Sequence, residues 1–136
     1  MPSITGVAHL SLTVRNLRIS ETWYRELFGL DSVFNERQPH FDSVVLVDPN
    51  SQMVISLRKH YGAGTARFDE SRTGLDHASF GVVDRDELVE WEKRLGEFNI
   101  EHSAITDTAF GSVLVFRDPD HIQLEFFCRA EPEQNK

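Results

Sequence analysis

One cysteine in 136 residues, Cys128, excludes an internal disulfide and a thiolate zinc cluster. Cations are also in short supply. Lys+Arg number 14 against 22 Asp+Glu, a formal net charge of -8 that repels both a phosphate backbone and an anionic membrane surface. Nucleic acid is therefore not an expected partner. No apolar run approaches the length of a bilayer span, and the start Met-Pro-Ser-Ile-Thr-Gly lacks the basic-then-apolar layout of a signal peptide. The expected location is the cytoplasm, with no membrane partner. What is present is 40% hydrophobic residues, enough at this length for one compact domain over 1–136 with a sizeable core.

The chain repeats itself. Val7-Ala8-His9-Leu10-Ser11-Leu12-Thr13-Val14 aligns with Leu75-Asp76-His77-Ala78-Ser79-Phe80-Gly81-Val82, and the offset of 68 residues from His9 to His77 also takes Trp23 to Trp91 and Leu27 to Leu95. Asp48-Pro49-Asn50 is echoed by Asp118-Pro119-Asp120 at an offset of 70, and Ser56 by Glu125 at 69. Two histidines, two tryptophans and two Asp-Pro turns in one order indicate an internal duplication.

Each half reads as strand, helix and three further strands, an α+β plan of two tandem βαβββ modules forming a curved mixed sheet around a central cleft. Module one covers about 5–58 and module two about 75–128. Val7 to Val14 alternates, with Ala8, Leu10, Leu12 and Val14 on an apolar face and His9, Ser11 and Thr13 opposite. Asn16 or Ser20 can cap a helix whose buried stripe is Ile19, Trp23 and Leu27, and Gly29 is placed to end it. Strands are expected near 32–35, 43–48 and 53–58. In the second half Asp84 caps a helix with Leu88, Trp91, Leu95 and Phe98 as its stripe, and strands are expected over 101–105, 111–117 and 122–127. The run 59–74, rich in glycine and charge, is a linker, a lid over a site, or both.

The period of two then sorts the polar residues. His9, His77 and Glu125 all fall on the face of their strand that the helix does not cover, as does Ser56. A carboxylate between Leu124 and Phe126 must meet water, a cation or a metal, because an unpaired charge is too costly to bury. Two imidazoles and a carboxylate are ligands that a first-row divalent ion accepts while keeping positions open for substrate. Such a site accommodates Fe²⁺, Mn²⁺, Zn²⁺, Ni²⁺ or Co²⁺. Arg58 shares a strand face with Ser56 and can meet an anionic substrate group. Both are assigned to substrate binding, and Glu125 to catalysis as well as ligation.

From Gly6-Val7-Ala8-His9 through Trp23-Tyr24-Arg25-Glu26-Leu27-Phe28-Gly29 to Asp118-Pro119-Asp120 and Gln123-Leu124-Glu125, the chain resembles the vicinal oxygen chelate superfamily. That group includes glyoxalases, bleomycin-resistance proteins, fosfomycin-resistance transferases and extradiol dioxygenases. The resemblance implies a divalent metal held from the first and last strand of each module, and His9, His77 and Glu125 match ligand positions. Ser56 departs from the pattern where glyoxalase I carries a Glu or Gln, which puts a mechanism with paired glutamates in doubt. The transferases and dioxygenases use two histidines and one glutamate, as here. Relatives are frequently homodimers, so a homodimer acting on a small molecule is expected.

The resemblance, taken with these residues, leaves three functions open. One is a metal-dependent enzyme of the glyoxalase or dioxygenase type, with a small substrate chelated through neighbouring oxygens. The alternative is a metal-free, bleomycin-resistance-like protein that sequesters a drug or metabolite, and the third a structural module that has lost its chemistry. His40, His60, His102, His121 and Tyr61 are candidate acids or bases by residue type alone. Phe41, Phe68, Tyr61 and Phe110 are candidate pocket aromatics.

Overall fold

The computed structural model describes residues 1–62 and 64–131. It divides into two compact units, Met1–Ala66 and Arg67–Lys136, with the boundary inside the expected linker. The first unit runs β1 (Leu10–Thr13), α1 (Leu17–Phe28), β2 (Asp31–Arg37), β3 (Phe41–Val47) and β4 (Val54–His60). The second runs β5 (Ala78–Gly81), α2 (Arg85–Glu97), β6 (Thr106–Thr108), β7 (Gly111–Arg117) and β8 (Gln123–Arg129). Both are βαβββ modules, as the duplication predicts.

Their sheets share one topology. The orders are β1-β4-β3-β2 and β5-β8-β7-β6, so in each unit the first strand pairs with the last in parallel and the other pairings are antiparallel. A parallel pairing needs a crossover, and the helix supplies it.

Local chemistry sets the helix ends. Asn16 caps α1 by accepting from the Ile19 N–H, and Gly29 closes it at φ 69°, a left-handed conformation that costs glycine little. Asp84 caps α2 by accepting from the Glu87 N–H. Beyond α2, Asn99 takes φ 55° and the Ile100 N–H returns to the Leu95 carbonyl.

Each helix lies on one face of its own sheet. In the first unit Tyr24 and Leu27 are buried with Leu12, Val14, Val44, Leu46, Ile55 and Leu57. In the second, Leu88 and Leu95 are buried with Leu114, Phe116, Leu124 and Phe126, and Trp91 stacks on Phe126 at 4.2 Å between centroids. Full burial of one such side chain is worth roughly 1.5–3 kcal/mol, so these two layers carry most of the stabilisation.

Four expectations are corrected. β1 starts at Leu10 rather than Val7, and residues 7–9 are exposed non-strand chain. The α1 stripe is Ser20, Tyr24 and Leu27; Ile19 is 56% exposed and Trp23 only half-buried. Phe98 is exposed at the end of α2. The strand expected over 101–105 is a single bridge, His102 to Phe116, and β6 begins at Thr106. There the Ser103 hydroxyl accepts from the Val115 N–H at 3.0 Å, taking the place of a ladder carbonyl. No helix among the described residues is long and apolar enough to cross a membrane.

Candidate metal and substrate site

The predicted site residues fall in both units. In the second unit Glu125 lies level with Ser79 of β5 and Val115 of β7, on the face away from α2. Its strand neighbours Leu124 and Phe126 are buried beneath that helix, so the alternation that buries them turns the carboxylate outward. His77 ends the exposed segment that feeds β5, diagonally across from Glu125.

His77 Nε2 and Glu125 Oε1 are 3.5 Å apart. That is long for a hydrogen bond. Two donors each about 2.1 Å from a shared ion, at a cis-octahedral or tetrahedral angle, stand about 3.0–3.5 Å apart. The spacing and the chemistry of this donor pair therefore fit a divalent metal.

On its other side His77 donates from Nδ1 to Asp76 Oδ1 at 2.6 Å. A carboxylate can only accept, so this bond places a proton on Nδ1 and, in the neutral ring, leaves the Nε2 lone pair facing Glu125. The Asp76 hydrogen bond, opposed by partial burial and aided by the Glu125 charge, holds the His77 pKa above the ordinary value. Sequence reasoning did not single out Asp76, whose bond to His77 only the structure shows.

In the first unit Ser56 is buried, level with Ser11 of β1 and Val45 of β3, while Arg58 lies level with Thr13 and Ser43. The Arg58 guanidinium carbon sits 4.4 Å from the centre of the Phe41 ring. Its Nε is buried, and among the described residues no acceptor reaches it. His9 is exposed immediately before β1. Within either unit, among the described residues, no three His, Cys, Asp or Glu side chains converge as a metal cluster.

The other candidates are engaged elsewhere. Tyr61 donates its hydroxyl to Asp42, a bond that raises its pKa, and His102 Nδ1 donates to the Ser103 carbonyl at 2.7 Å. His121, at φ 70°, lies 2.8 Å through Nδ1 from Arg67, and desolvation with the charges of Arg117 and Arg67 lowers its pKa. Phe110 is exposed, whereas Phe68 is half-buried and donates its N–H to the Asp120 carbonyl at 3.0 Å. A hollow of about 330 Å³ beside the end of α1, lined by Thr22, Arg25, Glu26, Gly29, Leu30 and Asp31, contains none of the predicted ligands.

Comparison with known proteins identifies the family and the fold. The family model described as the Glyoxalase/Bleomycin resistance protein/Dioxygenase superfamily matches residues 6–126. A glyoxylase/bleomycin resistance protein/dioxygenase domain from Frankia sp. EAN1pec is 39% identical, with a TM-score of 0.88 over 94% of this chain and 100% of that one. A glyoxalase family protein from Enterococcus faecalis is 20% identical, with a TM-score of 0.74 over 90% and 97%. A variant of the fosfomycin resistance protein FosX from Listeria monocytogenes, solved with Mn(II) and 1S,2S-dihydroxypropylphosphonic acid, is 14% identical, with a TM-score of 0.71 over 95% and 94%. No curated protein sequence matches the chain significantly.

Proposed function

The chain belongs to the glyoxalase/bleomycin resistance protein/dioxygenase superfamily, and from that premise we propose that it is a metal-dependent enzyme acting on a small oxygenated substrate. His9, His77 and Glu125 are the proposed ligands of one divalent ion. The observation that carries this reading is the 3.5 Å separation of His77 Nε2 and Glu125 Oε1 on a sheet face left uncovered by its helix. The FosX structure with Mn(II) and a dihydroxy acid makes Mn²⁺ the first ion to test.

The bound ion would act as a Lewis acid toward two neighbouring substrate oxygens, stabilising an enolate, catecholate or alkoxide as charge develops. The protein's share is placement. His77 is held just before β5 and Glu125 on β8, and His9 is the ligand proposed from the segment before β1. The second oxygen of Glu125 would orient or accept a substrate proton. Ser56 stands where relatives place a fourth carboxamide or carboxylate ligand, and its hydroxyl is offered to substrate instead. Arg58, whose guanidinium lies over Phe41, would meet an anionic group of the substrate. A cytoplasmic homodimer completes the reading.

Metal content by mass spectrometry, on protein purified without chelator or histidine tag, tests it. About one transition metal per chain, lost in Glu125→Ala and His77→Ala and weakened in His9→Ala, is the expected result. Protein that arrives empty and takes up none of Mn²⁺, Fe²⁺, Zn²⁺, Ni²⁺ or Co²⁺ would overturn it and leave ligand sequestration or a structural module without chemistry.

A further inference from the structure

We propose that Asp76 is a positioning residue that fixes the tautomer and direction of the His77 imidazole, so that this chain's metal site depends on a carboxylate, imidazole, metal relay confined to the second unit. The inference rests on the metal-site reading and adds a residue to it. Three observations carry it: the 2.6 Å bond from His77 Nδ1 to Asp76 Oδ1, the 3.5 Å from Nε2 of the same ring to Glu125, and the backbone that allows both.

Consecutive residues of a β-strand point to opposite faces and cannot normally meet. Asp76 and His77 lie in the non-strand segment just before β5, where the backbone is free to bring the two side chains together. A free neutral imidazole favours the proton on Nε2. That tautomer would aim an N–H, which cannot coordinate, at the ion. With Asp76 accepting from Nδ1, the lone pair of Nε2 is presented instead, and the carboxylate makes the ring a stronger donor. The first repeat has Ala8 at the equivalent place, a residue that can do neither. His77 is therefore the oriented ligand of the pair.

The test uses the full chain and two substitutions. Asp76→Ala removes both the acceptor and its charge, whereas Asp76→Asn keeps an amide oxygen able to accept from Nδ1. Competition with a chromogenic chelator for Mn²⁺ and Zn²⁺ is expected to show affinity falling about 10- to 100-fold in Asp76→Ala and less in Asp76→Asn. A second readout needs no metal. The ¹⁵N shifts of neutral His77 should report the Nδ1–H tautomer in the parent protein and Nε2–H in Asp76→Ala. A parent protein already in the Nε2–H form, or an Asp76→Ala variant that binds metal as tightly as the parent, would overturn the proposal while leaving the metal site standing. A parent protein that binds no metal overturns the metal reading itself, and the relay to an ion goes with it.

Discussion

Ser56 and Glu125 occupy the same place in two copies of one motif. Each lies on the last strand of its unit, level with a serine of the first strand, Ser11 and Ser79, and with a valine of the third, Val45 and Val115. The scaffold is thus repeated while the chemistry is not: one copy presents a carboxylate and the other a buried hydroxyl.

That difference can be reversed. Ser56→Glu puts an unpaired carboxylate where the native residue is only 6% exposed, and burying an uncompensated charge costs more than the roughly 1–3 kcal/mol of a neutral polar group. The metal-free variant should melt several degrees below the parent. If position 56 faces the ion, added Mn²⁺ or Zn²⁺ should recover more of that loss than it adds to the parent. Thermal unfolding with and without metal measures both effects, and equal metal-induced shifts would remove Ser56 from the site.

Arg58 should trade stability for binding. Its Nε has no acceptor among the described residues, so a methionine, whose thioether can lie over Phe41 where the guanidinium now sits, removes a desolvated donor. Arg58→Met is expected to unfold in urea within about 1 kcal/mol of the parent, or to be more stable. Once an anionic substrate is in hand, the same variant should raise its KM with little change in kcat. A loss of stability with unchanged KM would make Arg58 a structural residue.

Gly111 opens β7 at φ 152°, and a Cβ built there would lie 2.0 Å from the Cys128 carbonyl oxygen and 2.8 Å from Phe127 Cζ. The first of these is backbone in the paired strand and cannot step aside. Gly111→Ala should therefore cost about 2 kcal/mol or more by strain and distortion of the β7–β8 ladder. Urea unfolding reads the loss directly, and a variant as stable as the parent would contradict the close approach.

Most of the fold was legible because the duplication checks itself: Asn16, Gly29 and Asp84 do at the helix ends what their residue types dictate, and Leu124 and Phe126 of β8 are buried as alternation predicts, whereas His9 and His77 lie just before their strands, where a period of two does not apply. The α1 stripe was misread for a physical reason. Spacings of i, i+4, i+8 and i, i+4, i+7 both contain Leu27, and packing selected the arc through Tyr24, leaving Ile19 outside. Asp76 was not legible, because adjacency in sequence implies opposite faces wherever the chain is a strand, and only the structure shows that β5 begins two residues too late for that. The Asp-His pair present in one repeat and missing from the other was the available signal. Arg58's unsatisfied Nε depends on its tertiary surroundings, and its residue type alone does not reveal it.

The linker is pinned to the second unit by charge, and acid should release it. Arg117 donates to both oxygens of Glu70, at 2.7 and 3.2 Å, and also to the His121 carbonyl and the Gln123 side chain, each at 3.0 Å. The Arg117 hydrogen bonds hold the Glu70 carboxyl down at about 2, from an ordinary 4.5. A carboxylate whose folded pKa is depressed contributes stability that is fully present above its unfolded value. It is lost as pH falls from about 4.5 toward 2. Glu70→Gln keeps one acceptor but cannot titrate, so the parent's advantage over it at pH 6 should shrink steadily through that window. Denaturant unfolding of both proteins at pH 6, 4 and 2.5 gives the difference directly, with the many other carboxylates common to both. Proteolysis near Arg67 and Arg72 supplies an independent check: at neutral pH trypsin should cut the variant there faster, since the clip is what holds that stretch against the β7–β8 turn. A pH-independent difference between the two proteins would mean that the ion pair is solvent-screened and that the Phe68 to Asp120 backbone bond holds the linker by itself.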